Sequence, residues 1–175
     1  MLKIIAIVVV VAIVALLGFA ATKPNQFRIA RSTVIKAPPE KIYALLDDFH
    51  QWGAWSPYEK LDPAMSRTYG GPAGGLGATY AWSGNGQAGA GRMEIVEAAA
   101  PSKLVVDLDF TKPFASRNKA IFTLVPEGDA TRVTWAMEGP SPYMFKLMDV
   151  ICNMDKMLGK NFETGLASLK AEAEK

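Results

Sequence analysis

Few side chains in this sequence are suited to chemistry. His50 is the only histidine and Cys152 the only cysteine. Imidazole is the one side chain whose ordinary pKa lies near neutrality, so His50 is the first candidate for a general base. It follows Asp47 and Asp48, and a neighbouring carboxylate can hold an imidazole in one tautomer. The same neighbours fit a solvated helix end with no catalytic role. Asp155 is the second candidate. It lies one position off an apolar stripe, four after Ile151 and three before Leu158. At the edge of an apolar cavity such a carboxylate is desolvated and can act as an acid, a base or a polar anchor. The plainer alternative is an exposed Asp155 paired with Lys156 or Lys160; Glu163 has the same status. Tyr80 is the third candidate, a phenol on a strand it shares with Trp82. Order and spacing support no Ser-His-Asp or Cys-His arrangement. One His and one Cys do not make a zinc site of the usual composition, and a lone Cys forms no intrachain disulfide. No metal and no cofactor are expected.

Aromatic residues carry a stronger signal. "FHQWGAWSPYEKLDP" (49–63) holds Phe49, Trp52, Trp55 and Tyr58 in a segment whose prolines and Gly53 argue against a long helix or a central strand. One helical turn would put Trp52 and Trp55 on the same side. They either line the mouth of a cavity or plug one end of a core. Two glycine-rich stretches, "GGPAGGLG" and "GNGQAGAG", lack the Lys-Ser/Thr of a phosphate loop and do not open helices. They are expected to be turns that need positive φ.

These residues need elements to hold them. Ile4 to Ala21 is an unbroken apolar run of 18 residues, about 27 Å as a helix and close to one bilayer core. It is expected to be a single-pass anchor. The rival is a cleaved secretory signal, with Gly18-Phe19-Ala20 as a small-residue site. Lys23, Arg28 and Arg31 favour a cytoplasmic domain, but the short amino-terminal flank leaves the side open. Residues 1–22 are therefore assigned to the anchor or signal, 23–26 to a linker and 27–173 to one domain.

Without Lys3 and Lys23 the domain balances 17 basic against 17 acidic residues, which leaves no electrostatic footprint for nucleic acid. "FRIARSTVIKA" is a strand by its β-branched content. "PPEKIYALLDDF" is a short amphipathic helix, with proline at its start. Alternating segments follow, bounded by Gly, Pro, Asn and Asp, and they predict an antiparallel sheet with one wet and one dry face. Tyr80 and Trp82, Leu108 and Phe110, Ala120 and Phe122, and Val133, Trp135 and Met137 fall on its dry face; Asp107, Asp109, Arg132 and Glu138 fall on the wet one. A last apolar stripe from Met144 through Met148, Ile151, Met154, Leu158, Phe162, Leu166 and Leu169 predicts one long helix over 142–173, which Gly159 and Gly165 weaken or bend unless they allow close packing.

This order resembles the SRPBCC or START-like superfamily, and within it the bacterial polyketide cyclase/dehydrase and lipid-transport branch. The resemblance rests on "APPEKIYALLDDFHQWGAWSPYEKLDP", "YGGPAGGLGATYAWSGNGQAGAGRMEI", "TRVTWAMEG" and "MDKMLGKNFETGLASLK". It implies an α+β helix-grip fold, in which a curved antiparallel sheet of six or seven strands wraps a long carboxy-terminal helix. It further implies an apolar cavity walled by Tyr80, Trp82, Phe110, Phe122, Trp135, Met137, Met148 and Phe162, with Trp52 and Trp55 at its mouth. The expected partner is a hydrophobic small molecule (a lipid, isoprenoid or polyketide-like compound), and the expected place is the bacterial inner membrane. The alternatives are a cyclase or dehydratase working in the same cavity through Asp155, His50 and Tyr80, or a protein-interaction module with a filled core. The sequence leaves the oligomeric state open.

Overall fold

The computed structural model describes residues 1–175. Helix α1 (Leu2–Thr22) is long and apolar enough to cross a membrane, and only its Ala20 is buried against the rest of the chain. Strand β1 (Gln26–Ile35) follows. Helix α2 (Pro39–Leu46) starts on a proline, whose missing N–H costs nothing in a first turn, and buries Ile42, Tyr43 and Leu46. The aromatic segment then makes a tight turn (Phe49–Gln51), one helical turn α3 (Trp52–Trp55) and another tight turn (Pro57–Lys60).

Six strands follow: β2 (Ser66–Gly70), β3 (Thr79–Ser83), β4 (Ala90–Ala99), β5 (Lys103–Lys112), β6 (Ser116–Glu127) and β7 (Ala130–Pro140). The seven strands form one antiparallel sheet in the order β1-β7-β6-β5-β4-β3-β2. The glycine-rich stretches are turns. Gly71 holds φ 73° at the β2–β3 connection, and a Cβ there would collide with the Gly77 carbonyl.

Register sets the two faces. Arg31 pairs with Trp135, Trp135 with Phe122, Phe122 with Leu104, Met93 with Leu108 and Tyr80 with Met93, so these residues share the inner face. The outer face carries ion pairs: Arg28–Glu138, Lys119–Asp107 and Arg117–Asp109. Register also sets the ends. Gln26 pairs with Pro140, Lys119 with Glu138, Phe110 with Ser116 and Gly91 with Phe110. The start of β1, where α1 attaches, thus shares one end of the sheet with the end of β7, the β5–β6 turn and the start of β4.

The expected single helix over 142–173 is two helices, α4 (Tyr143–Cys152) and α5 (Met154–Ala173). The break falls at Asn153 and at neither glycine. Asn153 takes the left-handed conformation (φ 49°, ψ 78°), which Asn tolerates better than most residues. Its side chain accepts from Lys156 N–H at 3.0 Å and so caps α5. Gly159 and Gly165 serve close packing instead. A Cβ at Gly159 would overlap the Arg31 guanidinium, and one at Gly165 would sit 2.6 Å from the Trp135 ring.

Candidate functional site

Helix α5 lies along the inner face beside β1. Arg31 fixes its first turns. The guanidinium donates to both Asp155 carboxylate oxygens at 3.1 and 3.0 Å, to the Asp155 carbonyl at 3.1 Å and to Glu163 at 2.8 Å. At the far end Lys170 donates to the Val34 carbonyl at 2.9 Å. Asp155 is therefore a clamp residue. Arg31 holds its carboxyl below the usual carboxylate value, the hydrogen bond outweighing a smaller upward push from burial. An acid or base needs the opposite shift, and the carboxylate faces Arg31 and solvent. Neither Lys156 nor Lys160 is its partner.

Aromatic rings fill the space between α5 and the sheet. Trp135 stacks on Phe162 with centroids 4.4 Å apart, and Trp55 meets Trp135 edge-on at 5.6 Å and Phe122 at 6.1 Å. Trp52 meets Trp55 at 5.0 Å and Phe122 at 6.0 Å. Trp55, Phe122 and Phe162 are fully buried, and Trp52 nearly so. The two tryptophans plug the core where an open mouth was the competing expectation. The indole N–H of Trp52 donates to the Leu46 carbonyl and that of Trp55 to the Leu45 carbonyl, both at 2.9 Å. Each ring is thus tied to the end of α2, which a mobile rim would not need.

Two polar atoms inside this column have no protein partner. They are the Trp135 indole N–H and the Tyr58 hydroxyl, whose rings lie edge-on at 6.2 Å. Burial pushes the Tyr58 pKa up to about 12, and nearby Asn161 offsets only part of that. The hydroxyl stays protonated. Buried donors left unpaired are costly and are where ordered water or a ligand oxygen is held.

Met137 is buried on the inner face of β7. Trp82 and Phe110 are only partly buried, at the α1 end of the sheet, with ring centroids 5.5 Å apart and edge-on. Gly91 makes room for Trp82, because a Cβ there would sit 2.5 Å from the indole. Leu158, one turn into α5, is partly exposed too. Met148 does not belong to the interior. It lies on α4 with 40% exposure, because the break at Asn153 turns α4 away from the sheet.

Tyr80 is buried on the inner face of β3. Its hydroxyl donates to Glu59 at 2.6 Å, and Arg67 donates to the other Glu59 oxygen at 2.7 Å. Burial first, then this hydrogen bond, pushes the Tyr80 pKa far above its ordinary value, so Tyr80 is a neutral donor. His50 lies outside this network. Its ring is half-exposed, stacks on Tyr69 at 4.0 Å and bonds Asp48 at 2.8 Å through Nδ1. Burial pushes the Asp48 carboxyl up, but hydrogen bonds from His50 and Gln51 outweigh it and leave the net shift downward.

Glu59, Arg67, Tyr58 and Arg31 were not among the sequence candidates. One signal was present: Arg67 and Tyr69 alternate in "SRTYG" and so share a face of β2, and an arginine that the fold partly covers needs a carboxylate nearby.

A depression of about 120 Å³ opens beside Phe49, His50, Tyr69 and Ala78. A more open one of about 670 Å³ lies at the α1 end of the sheet, edged by Arg92, Asp109, Phe110, Arg117 and Pro140. Neither runs into the aromatic column.

The fold has well-matched solved structures. A protein from Chromobacterium violaceum, CV1439, aligns with a TM-score of 0.59 at 16% identity, over 87% of this chain and 99% of its own. The Aha1 dimer from Colwellia psychrerythraea aligns at 0.57 and 20%, over 85% of this chain and 96% of its own. The di-domain ARO/CYC BexL from the BE-7585A biosynthetic pathway aligns at 0.65 and 14%, over 89% of this chain and 52% of its own. Identities this low establish the fold alone. Among curated proteins none matches the sequence. The family model for polyketide cyclase / dehydrase and lipid transport matches residues 26–174, nearly the whole chain after α1, and the chain belongs to that family.

Proposed function

We propose that this protein is a membrane-tethered domain that binds a hydrophobic small molecule through the end of the grip nearest its anchor. One observation carries the reading. The partly exposed Trp82–Phe110 pair lies at the end of the sheet from which α1 departs, so apolar surface faces the place where an apolar ligand would be supplied. The unpaired Trp135 and Tyr58 donors add a chemical preference, for a ligand carrying an oxygen that accepts hydrogen bonds. Such a ligand displaces rings of the column as it enters, because the column is packed. Residues 4–21 serve as the anchor in the bacterial inner membrane, and residues 27–173 as the binding domain.

A cyclase or dehydratase would need free ionisable groups where the ligand sits. Glu59, Tyr80 and Arg67 converge but occupy one another. That favours binding over catalysis.

The test is native mass spectrometry of the full chain released from nanodiscs, followed by solvent extraction. The intact mass reports whether residues 1–21 are retained. The expected result is one apolar molecule per chain, lost in Phe110→Asp. A folded, empty wild-type chain would overturn the reading and leave the interaction module with a filled core.

A further inference from the structure

Helix α4 has no role in the grip, and its surface is unusual. Met144, Met148 and Ile151 recur at helical spacing and are 66%, 40% and 65% exposed. Tyr143 and Cys152 are exposed beside them, and Met157 extends the patch into α5. The two charged residues of α4 are both turned to the opposite side. Lys146 is buried and donates to the Asn25 side chain at 2.7 Å, and Asp149 pairs with Lys23 at 2.9 Å. The outward face is therefore apolar and uncharged.

Its position is fixed by α1 and by the chain that follows it into β1. The Tyr143 hydroxyl donates to the Leu17 carbonyl at 2.9 Å, Phe145 stacks on Phe27 at 4.8 Å, and Ser141 N–H donates to the Asn25 carbonyl at 2.7 Å. Leu17 lies four residues inside the end of the apolar run, about 6 Å along the helix axis. Helices that lie in a membrane interface bury an apolar face about 5–10 Å deep. Lys156 and Lys160 are exposed just beyond the patch, where they can meet lipid phosphates.

We infer that α4 is an interfacial helix whose Met144–Met148–Ile151 face lies in the bilayer surface beside the end of α1. This rests on the reading of α1 as a membrane anchor. It gives the domain a second point of attachment. Phe114, 76% exposed in the β5–β6 turn, adds apolar surface at the same end of the sheet. The Trp82–Phe110 end of the grip is thereby held toward lipid.

Cys152, the single cysteine, is a ready probe. The full chain is labelled there with an environment-sensitive fluorophore, in nanodiscs of phosphatidylcholine and phosphatidylglycerol. It is then quenched by lipids carrying a nitroxide high on the acyl chain, or by aqueous iodide. The expected result is strong lipid quenching and weak iodide quenching, reversed in Met144→Glu/Ile151→Glu, whose exposed positions leave folding intact. Iodide quenching of the wild type as strong as that of this variant would overturn the inference, as would protection from both quenchers with a doubled mass, which would assign the face to a second copy. A separate label at Ala12→Cys in a Cys152→Ser chain tests the anchor itself. If nitroxides at the bilayer centre quench it while Cys152 stays in water, only the role of α4 falls. If they do not, the anchor reading falls and α4 with it.

Discussion

Helices α4 and α5 come from one run of sequence with one apolar spacing, yet their stripes meet different surroundings. On α5, Phe162, Leu166 and Leu169 are buried against Trp135 and the inner face of the sheet. On α4, Met144, Met148 and Ile151 stay largely uncovered by the chain. The difference begins at Asn153, whose left-handed turn redirects the axis. A helical stripe reports which face is apolar. What covers that face depends on where the helix is carried.

The sharpest way to break the comparison is to truncate one residue of each stripe. Phe162→Ala should cost about 3–5 kcal/mol, because the ring is fully buried and its loss leaves a hole under Trp135. Urea unfolding of the full chain in detergent, followed by tryptophan emission, measures this; all four tryptophans lie outside α1. An unchanged midpoint would mean that the column is not the core.

Close packing is the next distinction. Gly165→Ala should cost about 1–3 kcal/mol, since its Cβ would lie 2.6 Å from Trp135 and 3.0 Å from Pro57. The usual gain from replacing a helical glycine by alanine should be absent.

The clamp at the start of α5 gives a smaller, pH-dependent effect. Asp155 titrates below its ordinary 3.8 when folded, so its pairing with Arg31 stabilises fully above that value and is lost as pH falls through the folded value. Asp155→Asn should be less stable than wild type at neutral pH, and the two unfolding midpoints should converge under acid. A gap that persists under acid would show that the ion pair is not its source.

The smallest effect belongs to α4. Met144→Ala should change stability by less than about 0.5 kcal/mol, as expected for a side chain that faces mostly solvent or lipid. A loss as large as that of Phe162→Ala would return α4 to the core and remove the basis for its membrane role.

Much of the fold was legible. Alternation at Leu104, Val106 and Leu108, and at Val133, Trp135 and Met137, assigned strands and inner faces that the register bears out. The Pro39 start of α2 and the glycine turns were equally local signals. Asn153 was legible in principle, since Asn both tolerates the left-handed region and caps helices, but an unbroken stripe on either side concealed it. The candidate site was less legible. Asp155 stood out for lying beside the apolar stripe, but its partner Arg31 lies 124 residues away. Glu59 and Arg67 drew no notice, because a charged residue looks solvated until the fold covers it.

The sequence by itself determined the apolar first helix, the element types, the dry face of the sheet and the aromatic residues that occupy it. These follow from propensities and periodicities that act within one element. Only the tertiary structure decided that Trp52 and Trp55 plug the interior, that Glu59 joins Tyr80 to Arg67, and that α4 faces outward. Each of those depends on distances between elements. Two rings 4.4 Å apart, like Trp135 and Phe162, leave no space between them, whereas either ring alone would line a cavity equally well.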